Sequence, residues 1–149
     1  MLGTNAPGLL LVSGGIDDGK TTVAKAWVVG QIKKHGRQAV YARAPHLLRL
    51  PQYDVGEEIS RLGAVECLAL DDLAAGTAPY KSWEADRIAE VLSLRKGRQT
   101  LLTTPCALRS ATGPLLQHRA GSDLTARLLK GLVKSSGRPR VFTLGGGHE

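Results

Sequence analysis

Leu9-Leu10-Leu11-Val12-Ser13-Gly14-Gly15-Ile16-Asp17-Asp18-Gly19-Lys20-Thr21-Thr22 joins an apolar run to a glycine-bounded loop and then to a helical pattern. From Gly14 the spacing is Gly-x-x-x-x-Gly-Lys-Thr, a Walker A motif, and it stands where that motif must, after a strand and before a helix. Glycines let backbone amides wrap an anion without Cβ clashes, and the following helix points its positive dipole end at the same anion. Gly14, Gly15, Ile16, Asp17, Asp18, Gly19, Lys20, Thr21 and Thr22 are therefore the expected cradle for the phosphates of ATP. In it Lys20 would reach the β- and γ-phosphates and the Thr21 hydroxyl would ligate Mg²⁺. Asp17 and Asp18 would repel a triphosphate if they faced it, so they are expected to point outward. The competing explanation is compositional, since 18 of 149 residues are Gly. The flanking strand and helix weigh against it.

Val65-Glu66-Cys67-Leu68-Ala69-Leu70-Asp71-Asp72 is the second informative stretch, a mostly apolar strand that ends in two acids. This is a Walker B pattern, in which Asp71 would hold Mg²⁺ and Asp72 would polarise the attacking water. Strands often end in Asp. The pattern gains weight by following a Walker A with a strand and helices between.

The length suits one domain, residues 1–149, with a real core. Hydrophobic residues at 42% and charged residues at 22% are globular proportions. Aromatics are only 4%, so Leu, Val and Ala must fill the interior. The apolar runs are too short to span a bilayer, and Met1 to Gly8 carries no export pattern, so no membrane association and a cytoplasmic location are expected. Cys67 and Cys106 lack metal-ligand spacing and read as reduced core thiols. Lys and Arg number 20 against 13 Asp and Glu, a net charge of +7. That excess suits a phosphate-rich partner or simply a basic protein.

Val23, Ala24, Trp27, Val28 and Ile32 share one helical face after the loop, and Gly36 closes that helix. Trp27 at this spacing reads as core. Gln38 to Ala44 reads as a strand, Pro45 stops it or opens the next helix, and His46 to Leu50 reads as a short helix interrupted by Pro51. Val55, Ile59 and Leu62 continue helical spacing up to Gly63; His46, alone, reads as surface. Ser82 can cap a helix lined by Ala85, Ile88, Ala89 and Leu92. Gln99 to Thr104 is a fourth strand, halted by Pro105, whose polar end would deliver Thr103 and Thr104 towards the γ-phosphate; two ordinary β-branched residues are the plain alternative. Ala107 to Gly121 reads as a loop. Ser122 or Asp123 caps a last helix with Leu124, Leu128, Leu132 and Val133 inward, and Arg140 to Leu144 is a fifth strand. The alternation predicts an α/β fold: a five-stranded, mainly parallel sheet with helices on both faces, the P-loop NTPase class. Ligand then sits at the carboxyl ends of the strands.

Beyond that physics, the chain resembles the AAA+ helicase-loader group, DnaC and IstB being its type members. Val40-Tyr41-Ala42-Arg43-Ala44-Pro45-His46-Leu47-Leu48 looks like the group's second strand and the helix behind it. Leu68-Ala69-Leu70-Asp71-Asp72-Leu73 looks like its double-acid Walker B, and Leu101-Leu102-Thr103-Thr104 like its sensor strand. Asp123-Leu124-Thr125-Ala126-Arg127-Leu128 resembles the helix carrying its arginine finger. The likeness covers nearly the whole chain. It implies an ATP–Mg²⁺-dependent ATPase with Lys20, Asp72, Thr104 and Arg127 as catalytic residues and Thr21 and Asp71 at the metal. It also implies a homo-oligomer and, as partners, a replicative helicase or a transposase and single-stranded DNA. The departures are concrete. Thr104 stands where the group has Asn, and Gly147-His148-Glu149 stands where a second sensor Arg is expected, implying a reduced lid. About eight residues precede the first strand, where loaders carry a helicase-gripping segment.

Arg127 is equally readable as one of several exposed basic residues on an amphipathic helix. Arg109, Arg119, Lys130, Lys134, Arg138 and Arg140 make the last third the most basic region, suited to DNA phosphates but without aromatic residues for stacking. Two rival functions stay open. One is a small P-loop kinase acting on a metabolite or a polynucleotide; the other is a non-catalytic adaptor that senses nucleotide.

Overall fold

The computed structural model describes residues 8–14, 19–76, 78–106, 114–126 and 140–143. Five strands form one parallel sheet: β1 Gly8–Ser13, β2 Ala39–Arg43, β3 Cys67–Asp71, β4 Gln99–Thr104 and β5 Arg140–Thr143. Their spatial order is β2-β3-β4-β1-β5. β4 therefore lies between the strand feeding the Gly14 loop and the strand ending in Asp71, in register with both (Ser13 with Thr104, Leu70 with Leu102). Parallel neighbours need crossovers, supplied by helices. These are α1 Lys20–His35, α2 Ala44–Arg49, α3 Gln52–Ala64, α4 Ser82–Ser93, α5 Pro114–Ala120 and α6 Ser122–Ala126.

Strand alternation sorts the core into two halves. Leu10, Val12, Cys67, Ala69 and Leu101 meet Ala24, Trp27 and Val28 of α1 on one face. Leu9, Leu11, Leu68, Leu70 and Leu102 meet α2, α3, α4, α5 and α6 on the other, larger face. Helices thus cover both faces, as the alternating pattern requires. Both cysteines are buried, Cys67 under α1 and Cys106 in the larger cluster.

Three expectations need correction. Ile32 is 48% exposed, and Gln31 is buried in its stead. Gln31 is tolerated inside because its Oε1 accepts hydrogen bonds from Arg37 at 2.8 Å and from the Cys67 thiol at 3.7 Å. The stretch read as a loop before Gly121 contains helix α5, whose Ala120 is fully buried. The second helix starts earlier than His46, at Ala44, because Pro45 in the first turn needs no amide partner there. The continuation of the last helix through Arg127, Leu128, Leu132 and Val133 lies outside the described residues, as does Leu144.

Candidate active site at the carboxyl end of the sheet

β1 carries the chain to Gly14, whose amide donates to the Thr104 carbonyl at 3.3 Å. The loop residues Gly15, Ile16, Asp17 and Asp18 lie outside the described residues. The chain re-emerges at Gly19 with φ +85°, a left-handed turn that a side chain would oppose. α1 begins immediately, with Lys20 buried and Thr21 and Thr22 exposed.

The Thr21 hydroxyl donates to Asp71 Oδ2 at 2.7 Å. Two residues fifty positions apart, one from each motif, thus stand side by side at the end of the sheet. Asp71 itself is fully buried at the last position of β3. Its other oxygen accepts the Thr103 hydroxyl, and the Tyr41 phenol donates to Oδ2 at 2.5 Å. Burial works to raise the Asp71 pKa, but the hydrogen bonds from Thr103, Tyr41 and Thr21 outweigh it and hold the carboxyl below its ordinary value. The reciprocal effect falls on Tyr41, pushed up to about 12 by burial and by Asp71. The Lys25 ammonium stands 5.3 Å from the Tyr41 ring centroid, fixing that ring under α1.

Asp72 leaves the strand with φ +65°, a conformation rare outside glycine. Its amide donates to Thr103 Oγ1 at 2.9 Å, and the next amide, of Leu73, donates to the Thr103 carbonyl at 2.8 Å. Thr103 therefore holds the turn that separates the two acids. The Asp72 carboxylate pairs with Arg43 at 2.5 Å, and Arg43 stands in register with Asp71 at the end of β2. The guanidinium keeps its proton more firmly for that bond.

Thr103, not Thr104, meets the acids. Thr104 falls on the opposite face of β4, and its hydroxyl accepts the Cys106 amide at 3.2 Å. Tyr41 and Arg43 are the site residues that the sequence reading does not single out; of the threonine pair it offers, Thr103 is the one that meets the acids. A register between β2, β3 and β4 would have exposed them, since Arg43 pairs with Asp71 and Thr103 follows Leu102, the partner of Leu70. Arg127 lies outside the described residues.

A groove of about 1040 Å³ opens beside Asp72, between the end of β2, α2, α3 and the segment leading into α4. Asp71 and Thr21 offer a carboxylate and a hydroxyl oxygen at adjoining positions, the hard donors that suit Mg²⁺. Among the described residues no cluster of three or more His, Cys, Asp or Glu exists. A site of this kind leaves most of the metal's coordination to phosphate and water, as Mg²⁺ prefers.

The same arrangement of strands and helices occurs in solved structures. The DnaC helicase loader superposes with a TM-score of 0.70 at 20% identity, over 91% of this chain and 78% of that one. This chain shares their fold, a parallel sheet with helices on both faces. DnaI superposes equally well, with a TM-score of 0.70 at 20% identity over 95% of this chain and 75% of that one. The replication initiator DnaA, bound to AMPPCP and single-stranded DNA, gives 0.68 at 18% identity over 95% of this chain and 42% of that one. The chain thus spans less than half of that DnaA. Comparison with models of protein families finds no match, and neither does comparison with curated protein sequences. No helix among the described residues is long and apolar enough to cross a membrane.

Proposed function

We propose that the protein binds ATP with Mg²⁺ and hydrolyses it as a helicase-loader-type or transposase-helper ATPase, working in the cytoplasm in DNA replication or transposition. The observation that carries this reading is the Thr21–Asp71 hydrogen bond, 2.7 Å long, directly after the buried Lys20. It joins the two sequence motifs across the end of the sheet, which supports reading them as one nucleotide site. The loader-like fold supports the same reading.

In this reading the amides from Gly14 to Thr22 and the Lys20 ammonium bind the phosphates. Thr21 and Asp71 would hold Mg²⁺, which would supply positive charge against the phosphates. Tyr41 and Thr103 orient Asp71 and keep it ionised. Water attacks the γ-phosphorus, the bond to the bridging oxygen breaks, ADP departs, and the Asp72 carboxylate takes the water's proton. Arg43 competes for that carboxylate, so the resting protein is a slow hydrolase. Thr103 replaces Thr104 in the role next to the acids. Arg127 acts from a neighbouring protomer, stabilising charge on the transferred phosphoryl group.

Titration of a fluorescent ATP analogue tests the reading. Wild type should bind in a Mg²⁺-dependent way, and Lys20→Ala should weaken binding at least tenfold, about 1.4 kcal/mol or more. Equal binding by both proteins sinks it. Gel filtration with ATP, and turnover with single-stranded DNA, test the assembly and the partner.

The groove beside Asp72 supports a second reading, in which a hydroxyl acceptor replaces water and the protein is a kinase. Transfer of label from ATP to a 5′-hydroxyl oligonucleotide separates the two.

A further inference from the structure

α1 buries Ala24, Trp27, Val28 and Gln31 against the sheet, holds no acidic residue in its 16 positions and ends in Lys33-Lys34-His35. Beside the buried stripe, along one flank of the helix, runs a groove of about 270 Å³. Val23, Ala26, Trp27 and Gly30 line it, with Lys34 and His35 at the end nearer the helix C-terminus. The opposite flank is already engaged, since Lys25 there stands over the Tyr41 ring of β2. The groove therefore lies on the side of α1 away from β2.

Two residues of this wall are out of keeping with a surface that stays bare. Gly30 sits inside a helix, where glycine destabilises relative to alanine, and it has no positive φ to require it. A Cβ there would meet nothing within 4 Å, so no packing inside the fold demands its absence. What the glycine does is deepen the groove. Trp27 is 5% exposed, and its indole N–H has no acceptor among the described residues. Buried donors are normally paired, and this one belongs to the groove wall.

Shape and chemistry select the occupant. The volume falls below the ~300–1,000 Å³ of clefts that enclose a whole small molecule, but it takes anchoring side chains. From Val23 to Lys34 the wall is about 16 Å long, roughly three helical turns. α1 satisfies its amides and carbonyls internally and offers no backbone pairing along this flank. An occupant must therefore satisfy its own backbone, as a helix does. Charge sets its sign. Lys33 and Lys34 are exposed and form no ion pair among the described residues, and the whole chain carries +7. A second copy seated here through its own α1 would bring more lysine and no acid. A nucleic acid would use the lysines and leave the apolar wall idle.

We propose that this flank of α1 docks an amphipathic helix of a partner protein, with large apolar side chains seated over Ala26, Trp27 and Gly30 and acidic residues facing Lys33 and Lys34. The inference goes beyond the ATPase reading and needs no nucleotide.

The test uses the full chain carrying Trp83→Phe, which leaves Trp27 as its one indole. The probe is a peptide of about five helical turns built of leucine and glutamate, with its leucines on one face. Saturable binding that shifts Trp27 emission is expected, and a scrambled peptide of the same composition should bind at least about tenfold more weakly. Gly30→Leu fills the groove with a better helix former, so its Tm should equal or exceed that of wild type while peptide affinity falls roughly tenfold or more. Lys33→Glu/Lys34→Glu should lose this peptide and bind one with lysine in place of glutamate. Absence of binding overturns the proposal, as does equal binding of the scrambled peptide or an affinity unmoved by Gly30→Leu. So does a dimer that Gly30→Leu dissociates, or a Trp27 shift produced by an oligothymidylate or by anionic phospholipid vesicles and not by the peptide. Lys20→Ala should keep the peptide and lose ATP. ATP binding without peptide binding sinks this inference alone, and peptide binding without ATP binding sinks the ATPase reading alone.

Discussion

Arg43 takes up the Asp72 carboxylate at the end of the sheet. Its ion pair with Asp72 is short, but Arg43 is mostly exposed, and such pairs are worth only about 0–1 kcal/mol in water. Arg43→Gln is therefore expected to raise basal turnover by no more than about fivefold and to leave ATP affinity unchanged. Steady-state kinetics separates the two parameters, and a fall in turnover would mean that Arg43 helps the reaction instead. Tyr41 makes a second prediction, on the alkaline side. Its folded pKa, about 12, exceeds the unfolded value near 10, so the folded state keeps a proton that the unfolded chain releases. The stabilisation is complete below pH 10 and is lost as pH rises towards 12. Denaturant melts at pH 9 and pH 11 should show a smaller loss for Tyr41→Phe than for wild type. Asp71 behaves in the opposite sense: its depressed pKa stabilises the fold above the usual carboxylate range, and that contribution disappears in acid.

At the scale of elements, the packing of α3 against the end of α4 depends on one missing methyl. A Cβ on Gly63 would lie 2.6 Å from Leu94 Cδ1 and 2.8 Å from Leu94 Cβ. Leu94 is 51% exposed, so its tip can swing away, but its Cβ cannot move without α4. Gly63→Ala should cost about 1–3 kcal/mol in urea unfolding, and a second change, Leu94→Ala, should recover part of it. Local periodicity had marked Val55, Ile59 and Leu62 as the buried stripe of α3, and all three are buried. Gly63 looked like a terminator, since a sequence cannot tell a glycine that ends a helix from one that admits a neighbour. The same limit applies to β4. Its bounds, Gln99–Thr104, were legible from the β-branched run and the proline after it. Which of its two threonines faces the acids was not, because alternation tells odd from even and never which side is α1's.

Across the whole molecule, the two ends of the sheet are built differently. The carboxyl end gathers ionisable groups around Asp71. The amino end of β3 and β4 is tied by Arg95, 2% exposed, which has no carboxylate partner among its described contacts. Its guanidinium donates to the carbonyls of Leu62, Val65, Glu66 and Gln99 and to the Thr100 hydroxyl, joining α3, β3 and β4. Burial lowers its pKa to about 10, still charged at neutral pH. Arg95→Met strands several buried carbonyls and should destabilise the protein by roughly 3 kcal/mol or more. ATP affinity should be unchanged, because the site lies at the other end of the strands. Lysine should not rescue it, since one ammonium cannot reach five acceptors.

What the chain declares on its own is everything with a short period. The apolar run into Gly14, the helix after the glycine loop, the strand running into Asp71 and the α/β alternation are local patterns, and the structure holds each of them. Tertiary structure alone decided the rest: that β4 enters between β1 and β3, that Tyr41 and Thr103 both bond to Asp71, and that Arg43 takes hold of Asp72. Those relations join residues about thirty positions apart or more. They depend on strand order and register, which come from packing the whole sheet under its helices and leave no trace in the spacing of any one segment.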